Sequence, residues 1–303
     1  MSRSAASSPD SAIEGFIRDF LKDVRENTAA VFAGSGLSTP AGFVDWRALL
    51  KPIADELGLD VDRESDLIAL AQFQANVSAG NRHRLTQLLI EQIPQASVPT
   101  ENHRLLAKLP ISTYWTTNYD RLIETALGDA NKIADVKYVV PHLATTRPRR
   151  DAVVYKMHGD IGLPHEAVLT KDDYERYHVD RGAFVNALAG DLVSKTFLFV
   201  GFSFMDPNLD YVLSRVRVTF SKNQRRHYAI FKRRDRARHE STQAFEHARV
   251  RQALVIEDLK RFNITTLLVH EYSEITKILE RIERQYRQRT VFISGSAELL
   301  SLV

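Results

Sequence analysis

The chain has 303 residues, 44% hydrophobic and 26% charged, with a formal net charge of +3: enough to bury a sizeable core as one large domain or two smaller ones, and too little charge to argue for nucleic acid as a partner. Cysteine is absent, which excludes disulfides, cysteine nucleophiles and a structural zinc held by four thiolates. No apolar run approaches the roughly 18 residues of a membrane span, and the opening "MSRSAASSPD" lacks the apolar segment of a secretory signal, so a cytoplasmic protein is expected.

The Ser/Ala-rich start reads as disordered. A first helix follows, with Ser11 and Glu14 at capping-box spacing and Ile13, Phe16, Ile17, Phe20, Leu21 and Val24 on one face. Short apolar strands read at Ala30 to Ala33, Ser112 to Trp115, Val153 to Met157, Thr196 to Val200, Tyr228 to Phe231 and Thr265 to Val269. Helical patterns lie between them, notably Asn208 to Phe220, Glu240 to Arg261 and Glu274 to Arg287. This alternation predicts an α/β fold, a Rossmann-like parallel sheet covered by helices on both faces. From about residue 48 to 110 the pattern is helix only, "LIALAQFQANV" and "RLTQLLIEQI" being its stripes, and reads as a helical insertion without a zinc module. The basic run "KRRDRARH", Lys232 to His239, reads as a solvated loop entering a helix.

The polar clusters fall where strands stop. After Val31, Phe32 and Ala33 come Gly34, Ser35 and Gly36, then Ser38. Glycines directly after a buried strand let backbone N–H groups approach a diphosphate, although the same residues also make ordinary turns. The third glycine of the dehydrogenase fingerprint is missing, and so is the Gly-Lys-Ser/Thr of a P-loop. "YWTTNYD" ends a strand with Thr117, Asn118 and Asp120; "YKMHGD" ends another with His158 and Gly159; "LFVGFSFMDPNL" ends a third with Gly201, Phe202 and Ser203. In an open parallel sheet the carboxyl ends of strands form the ligand crevice, so these clusters are expected to converge. Singly, each has a structural alternative: His158 as a satisfied half-buried histidine, Asn118 as a helix cap, Gly201 as a tight turn.

Taken together, these residues resemble the sirtuin family. The matches are Gly34, Ser35, Gly36 and Ser38 to its glycine-rich loop, Asp45, Trp46 and Arg47 to its acid-aromatic-arginine segment, Thr116 to Asp120 to its Thr-Gln-Asn-Ile-Asp segment, His158 and Gly159 to its His-Gly pair, and Gly201 to Ser203 to its late Gly-x-Ser. The closer resemblance is to the zinc-free sirtuin-like NAD hydrolases of bacterial anti-phage defence, the Thoeris effectors among them. That resemblance implies cleavage of NAD at the nicotinamide-ribose bond, with no metal and no cofactor beyond NAD as substrate. By the same resemblance, Asn118 positions the attacking water or a ribose hydroxyl and His158 is the base or hydroxyl partner. Gly34 to Ser38 meet the diphosphate, Asp45 with Trp46 lies toward the nicotinamide end, Thr117 and Asp120 shape the pocket, Gly201, Phe202 and Ser203 meet the adenosine half, and Ala33 and Arg47 complete the NAD-binding set. A homo-oligomer is implied, as is a nucleotide signal of the cyclic ADP-ribose type. Two other readings stay open: a sirtuin-type protein deacylase or ADP-ribosyltransferase, and a non-enzymatic nucleotide-binding sensor.

The chain's last stretch, "RQRTVFISGSAELLSLV", reads as a strand at Val291 to Ile293 running into Gly295. Residues 1–289 are accordingly expected to form the hydrolase domain and 290–303 either a final edge strand or the opening of a truncated second Rossmann-like sensor domain.

Overall fold

Uncharged runs such as AAVFA and TFLFV suit strands covered on both faces, and they form the centre of the sheet. The computed structural model describes residues 9–94, 97–220 and 223–300, and within these the side chains from 10 to 288. Seven strands, β1 (Ala29–Ala33), β2 (Thr113–Thr116), β3 (Ala134–Lys137), β4 (Ala152–Lys156), β5 (Thr196–Val200), β6 (His227–Lys232) and β7 (Ile264–Val269), are ordered β3-β4-β2-β1-β5-β6-β7. Every pairing is parallel.

Alternate side chains of β1 feed opposite layers, as the two-residue period of a strand requires. Val31 and Ala33 pack with Phe16 and Phe20 of α1 (Pro9–Arg25), Leu106 of α6 (Glu101–Lys108), Leu127 of α7 (Leu122–Asp129) and Leu279 of α13 (Ser273–Leu300). Ala30 and Phe32 pack with Phe184 and Leu188 of α10 (Gly182–Ser194) and Val212 of α11 (Pro207–Phe220). A third cluster unites α3 (Trp46–Glu56), α4 (Leu67–Val77) and α5 (His83–Gln92) and is closed by Tyr119, Leu122 and Leu169. The helical insertion is thus these three helices; α6, at its expected end, instead covers the sheet.

Some expectations are corrected. Helix α1 begins at Pro9, so Ser11 lies inside it and is no cap. The strand read at Val291 to Ile293 is part of α13, and a run of good helix formers before it carries the helix through. Strand β3 went unread because two of its four residues are charged; Asp135 and Lys137 are buried as an ion pair at 2.7 Å, so charge pairing replaces apolar content. The Ser/Ala-rich start lies almost wholly outside the described residues. Among the described residues, no helix is long and apolar enough to cross a membrane.

Candidate functional site

Register brings the polar clusters together. Ala33 pairs with Thr116 on one side and Val200 on the other, and Thr116 pairs with Lys156, so β1, β2, β4 and β5 end at one level. Gly34 and Gly201 each follow their strand by one residue; Asn118 and His158 each follow theirs by two. The sheet order runs one way from β1 through β2 and the other through β5, which makes this edge the topological switch point, the place where open parallel sheets generally take their ligands.

The loop after β1 folds into the single turn α2 (Ser35–Ser38) and lies hard against the loop after β5. A Cβ on Gly34 would stand 2.3 Å from the Gly201 carbonyl oxygen, and one on Gly201, whose φ is +65°, would stand 2.2 Å from the Leu37 nitrogen. Only glycine permits that approach. The Gly34 and Gly36 amides donate to the carbonyls of Val200 and Gly201, both at 3.0 Å, so these two donors hold the loops together. Ser35 and Gly36 are the exposed part of the loop, while Leu37 and Ser38 are buried.

Asn118 joins this loop to β2. Its Nδ2 donates to the Gly34 carbonyl at 3.0 Å and the Ser38 Oγ at 3.1 Å. The Asn118 backbone amide donates to Thr116 Oγ1, which itself donates to the Ala33 carbonyl. Asp120 is buried and accepts from the Leu122 amide at the start of α7. A buried salt bridge not foreseen from the sequence supports this segment. Lys156, fully buried at the end of β4, donates to the Tyr119 and Asp120 carbonyls and to the carboxylates of Glu124 and Asp160. Burial opposes its charge, but Glu124 and Asp160 keep the ammonium above its usual range. Burial likewise opposes ionisation of Asp160, yet Lys156 and Arg121 hold its carboxyl below the ordinary carboxylate value. Burial pushes Glu124 up, against Lys156.

His158 is buried two residues beyond β4, with Gly159 turning behind it at φ +99°. Its Nε2 lies 3.1 Å from Oδ2 of Asp206, within ion-pair range but off the line of a hydrogen bond. The ring edges of Tyr174 and Tyr177, from α9 (Lys171–Asp180), enclose it with centroids at 5.5 and 6.2 Å. Burial disfavours the Asp206 carboxylate, but His158 opposite it holds that carboxyl below its usual range. Burial, with Asp206 next, keeps the Tyr174 hydroxyl well above the ordinary phenol value. Asp206, Tyr174 and Tyr177 were not singled out in the sequence, since Asp206 sits in "MDPN", a plain helix-start signal.

The remaining expected residues are spread out. Asp45 is exposed and caps α3 by accepting from the Ala48 amide at 2.8 Å. The Arg47 guanidinium donates to the carbonyls of Val61 and Glu64, bracing the insertion's first loop. Trp46 is half-buried, its ring 6.4 Å from that of Tyr119. Phe202 packs on Phe32, Thr117 is half-buried and Ser203 is exposed at the rim. A cavity of about 310 Å³ between α11 and α12 (Thr242–Leu259), lined by Phe204, Leu213, Arg251 and Phe262 among others, touches this region only through the Phe204–Asp206 stretch. Among the described residues no group of three or more His, Asp or Glu gathers as a metal site would require.

Residues 112–252 match the SIR2-like domain model, a span that takes in Asn118, His158, Gly201 and Asp206 but not the loop at Gly34. The chain is 57% identical over 285 residues to a protein named NAD(+) hydrolase ThsA from Bacillus cereus, covering 94% of this chain and 60% of that one. A protein of the same name from Acinetobacter baumannii is 54% identical over 277 residues, 91% of this chain and 57% of its own length. A Bacillus subtilis protein named Defense-associated sirtuin 2 is 25% identical over 217 residues, 69% of this chain and 21% of its own. The chain thus spans about three fifths of the length of the ThsA relatives it matches.

Proposed function

We propose that this chain, which carries a SIR2-like domain and is related to the ThsA proteins, hydrolyses NAD at the nicotinamide-ribose bond. The observation that supports this reading is the common level of four strand ends, with Asn118 and His158 each two residues past the neighbouring strands β2 and β4 and Gly34 and Gly201 meeting at the same edge. The names of its relatives support the substrate.

The reaction is NAD plus water giving nicotinamide, ADP-ribose and a proton. The bond electrons leave with the nicotinamide nitrogen, which becomes neutral, so little acid catalysis is needed. What the protein must do is fix the ribose and steady the positive character that develops at its anomeric carbon. Asn118, held at the Gly34 carbonyl and Ser38, offers a side-chain amide at the point where water or a ribose hydroxyl would sit. His158 accepts the proton that the water gives up, a task suited to an imidazole near neutral pH. Ser35 and the exposed lip of its loop meet the diphosphate. In this reading the enzyme works in the cytoplasm, depletes NAD as part of anti-phage defence, and assembles as a homo-oligomer.

The test is to incubate the purified protein with NAD, with and without an acetylated peptide, and identify products by mass spectrometry. Nicotinamide and ADP-ribose in equal amounts, independent of peptide, are expected. Dependence on the peptide, or an acetylated ADP-ribose, would make it a deacylase instead.

A further inference from the structure

We propose that Asp206 is a positioning residue for His158, fixing which ring nitrogen carries the proton during NAD cleavage; this deepens the hydrolase reading and rests on it. The two carboxylate oxygens of Asp206 have separate tasks. Oδ1 accepts from the Leu209 amide at 2.9 Å and so caps α11, while Oδ2 faces His158 Nε2 at 3.1 Å. Both side chains are under a tenth exposed. A helix cap alone needs one oxygen, and asparagine or serine supplies it as well as aspartate does. The second oxygen, charged, buried and opposite an imidazole, has no part in capping.

The backbone leading to Asp206 is bent to place it. Phe204 has φ +58°, a left-handed conformation that a bulky side chain adopts only when its surroundings impose it. Its ring is locked among Phe199, Phe202 and Phe231, so the turn from Gly201 to α11 delivers the carboxylate to the histidine. Other titratable groups around the pair leave Asp206 as its anion. Tyr174 and Tyr177 approach from α9; the Tyr174 hydroxyl is a second hydrogen-bonding neighbour of Asp206 and favours its anion, while the Tyr177 hydroxyl donates to the Met157 carbonyl. The Tyr119 hydroxyl donates to the Val168 carbonyl, Arg82 is paired with Asp173, and Arg181 donates to the carbonyls of Tyr138 and Glu166.

A carboxylate facing Nε2 accepts the proton of that nitrogen, so the neutral ring receives the proton of the attacking water through Nδ1. At 3.1 Å but off the line of a hydrogen bond, the pair has the loose geometry common among catalytic groups.

Asp206→Asn tests this with little change of shape. The amide oxygen must stay on the Leu209 N–H, because the reversed amide would set donor against donor; its nitrogen then replaces Oδ2 and donates to His158 Nε2. The proton is forced onto Nδ1 and the accepting nitrogen is lost. The expected result is a fall in kcat of about a hundredfold or more with KM changed by less than about fivefold, as tautomer inversion without loss of shape produces. Nitrogen-15 spectra of the full chain at about pH 8.5, where free imidazole is neutral, with the ring signals assigned through His158→Gln, should show an Nε2–H ring in the wild type and an Nδ1–H ring in the variant. Asp206→Ser, which keeps a cap but removes the facing oxygen, should lose the Nε2–H preference if the asparagine variant does not fold. The same ring tautomer in wild type and variant overturns the proposal, whatever the rates. Should the wild type leave NAD intact, the hydrolase reading falls, and the ring spectra still decide whether Asp206 sets the tautomer.

Discussion

The side-chain amide of Asn118 donates to the carbonyl of Gly34 at 3.0 Å, locking the end of β2 to the glycine turn after β1. The side chain closes the sheet edge, and in the proposed reaction it also stands where water approaches the ribose. Replacing it should separate the two roles. Asn118→Ala is expected to lower NAD turnover by about a hundredfold or more, the worth of one positioned catalytic group. The cost in stability should be only about 1–2 kcal/mol, from the two buried hydrogen bonds lost at Gly34 and Ser38, since the Gly34 carbonyl keeps the Leu37 amide as a donor. Paired turnover and urea-unfolding measurements check both; a variant within about threefold of wild-type turnover removes Asn118 from the mechanism.

The Gly34–Gly201 contact predicts an asymmetric glycine response. Gly201→Ala adds a Cβ against the Leu37 nitrogen at a positive φ, and should destabilise by about 3 kcal/mol or more. Gly42→Ala, at φ +89° but with open space around the new atom, should cost about 1 kcal/mol. Equal losses in thermal unfolding would mean that backbone conformation alone, and not the meeting of the two loops, fixes Gly201.

The buried Lys156 network predicts a pH signature. Asp160 has its folded-state pKa depressed below 3.8 by Lys156 and Arg121, so its contribution is present above that value and disappears as pH falls through the lower folded one. Lys156→Met leaves Glu124 buried without a cation and Asp160 with Arg121 alone, and should cost about 3–5 kcal/mol at pH 7. Glu124, already pushed up by burial, then favours protonation in the folded chain, so the variant should recover part of this loss as pH is lowered from 7 toward 5. Unfolding curves at the two pH values check the sign, and a gap between wild type and variant that widens on acidification would contradict it.

Arg47 carries a structural prediction. Its guanidinium holds the carbonyls of Val61 and Glu64, so Arg47→Ala should lower stability by about 2 kcal/mol, the scale of hydrogen bonds from a charged donor. Limited proteolysis should then cut first in the 57–66 segment. Protection there equal to the wild type would leave Arg47 free for a role toward NAD.

What could be read from the sequence followed physical rules. Strands β1 and β5 were legible because a strand covered on both faces must be apolar throughout, and the polar residues just past them marked the ligand edge. Strand β3 was not, because Asp135 and Lys137 neutralise each other in a buried pair that no periodicity reports. Nothing in the strand Val153 to Met157 marks Lys156 as buried until Glu124, from another element, is folded against it. Asp206 shows only its capping oxygen to the sequence; the oxygen facing His158 depends on how β4 and β5 end across the sheet. The segment Asp45 to Arg47 stands out by resemblance, yet in the structure Asp45 caps a helix and Arg47 braces a loop.

In the proposed reaction water, positioned at Asn118 and deprotonated by His158, takes the place of nicotinamide on the ribose. The most direct measurement is NAD cleavage in oxygen-18 water by the wild type, Asn118→Ala and His158→Ala, with ADP-ribose analysed by mass spectrometry. A single heavy oxygen in the ADP-ribose made by the wild type, with little product from either variant, is the expected result. Intact NAD with the wild type, or ADP-ribose transferred to protein without heavy oxygen, would contradict it.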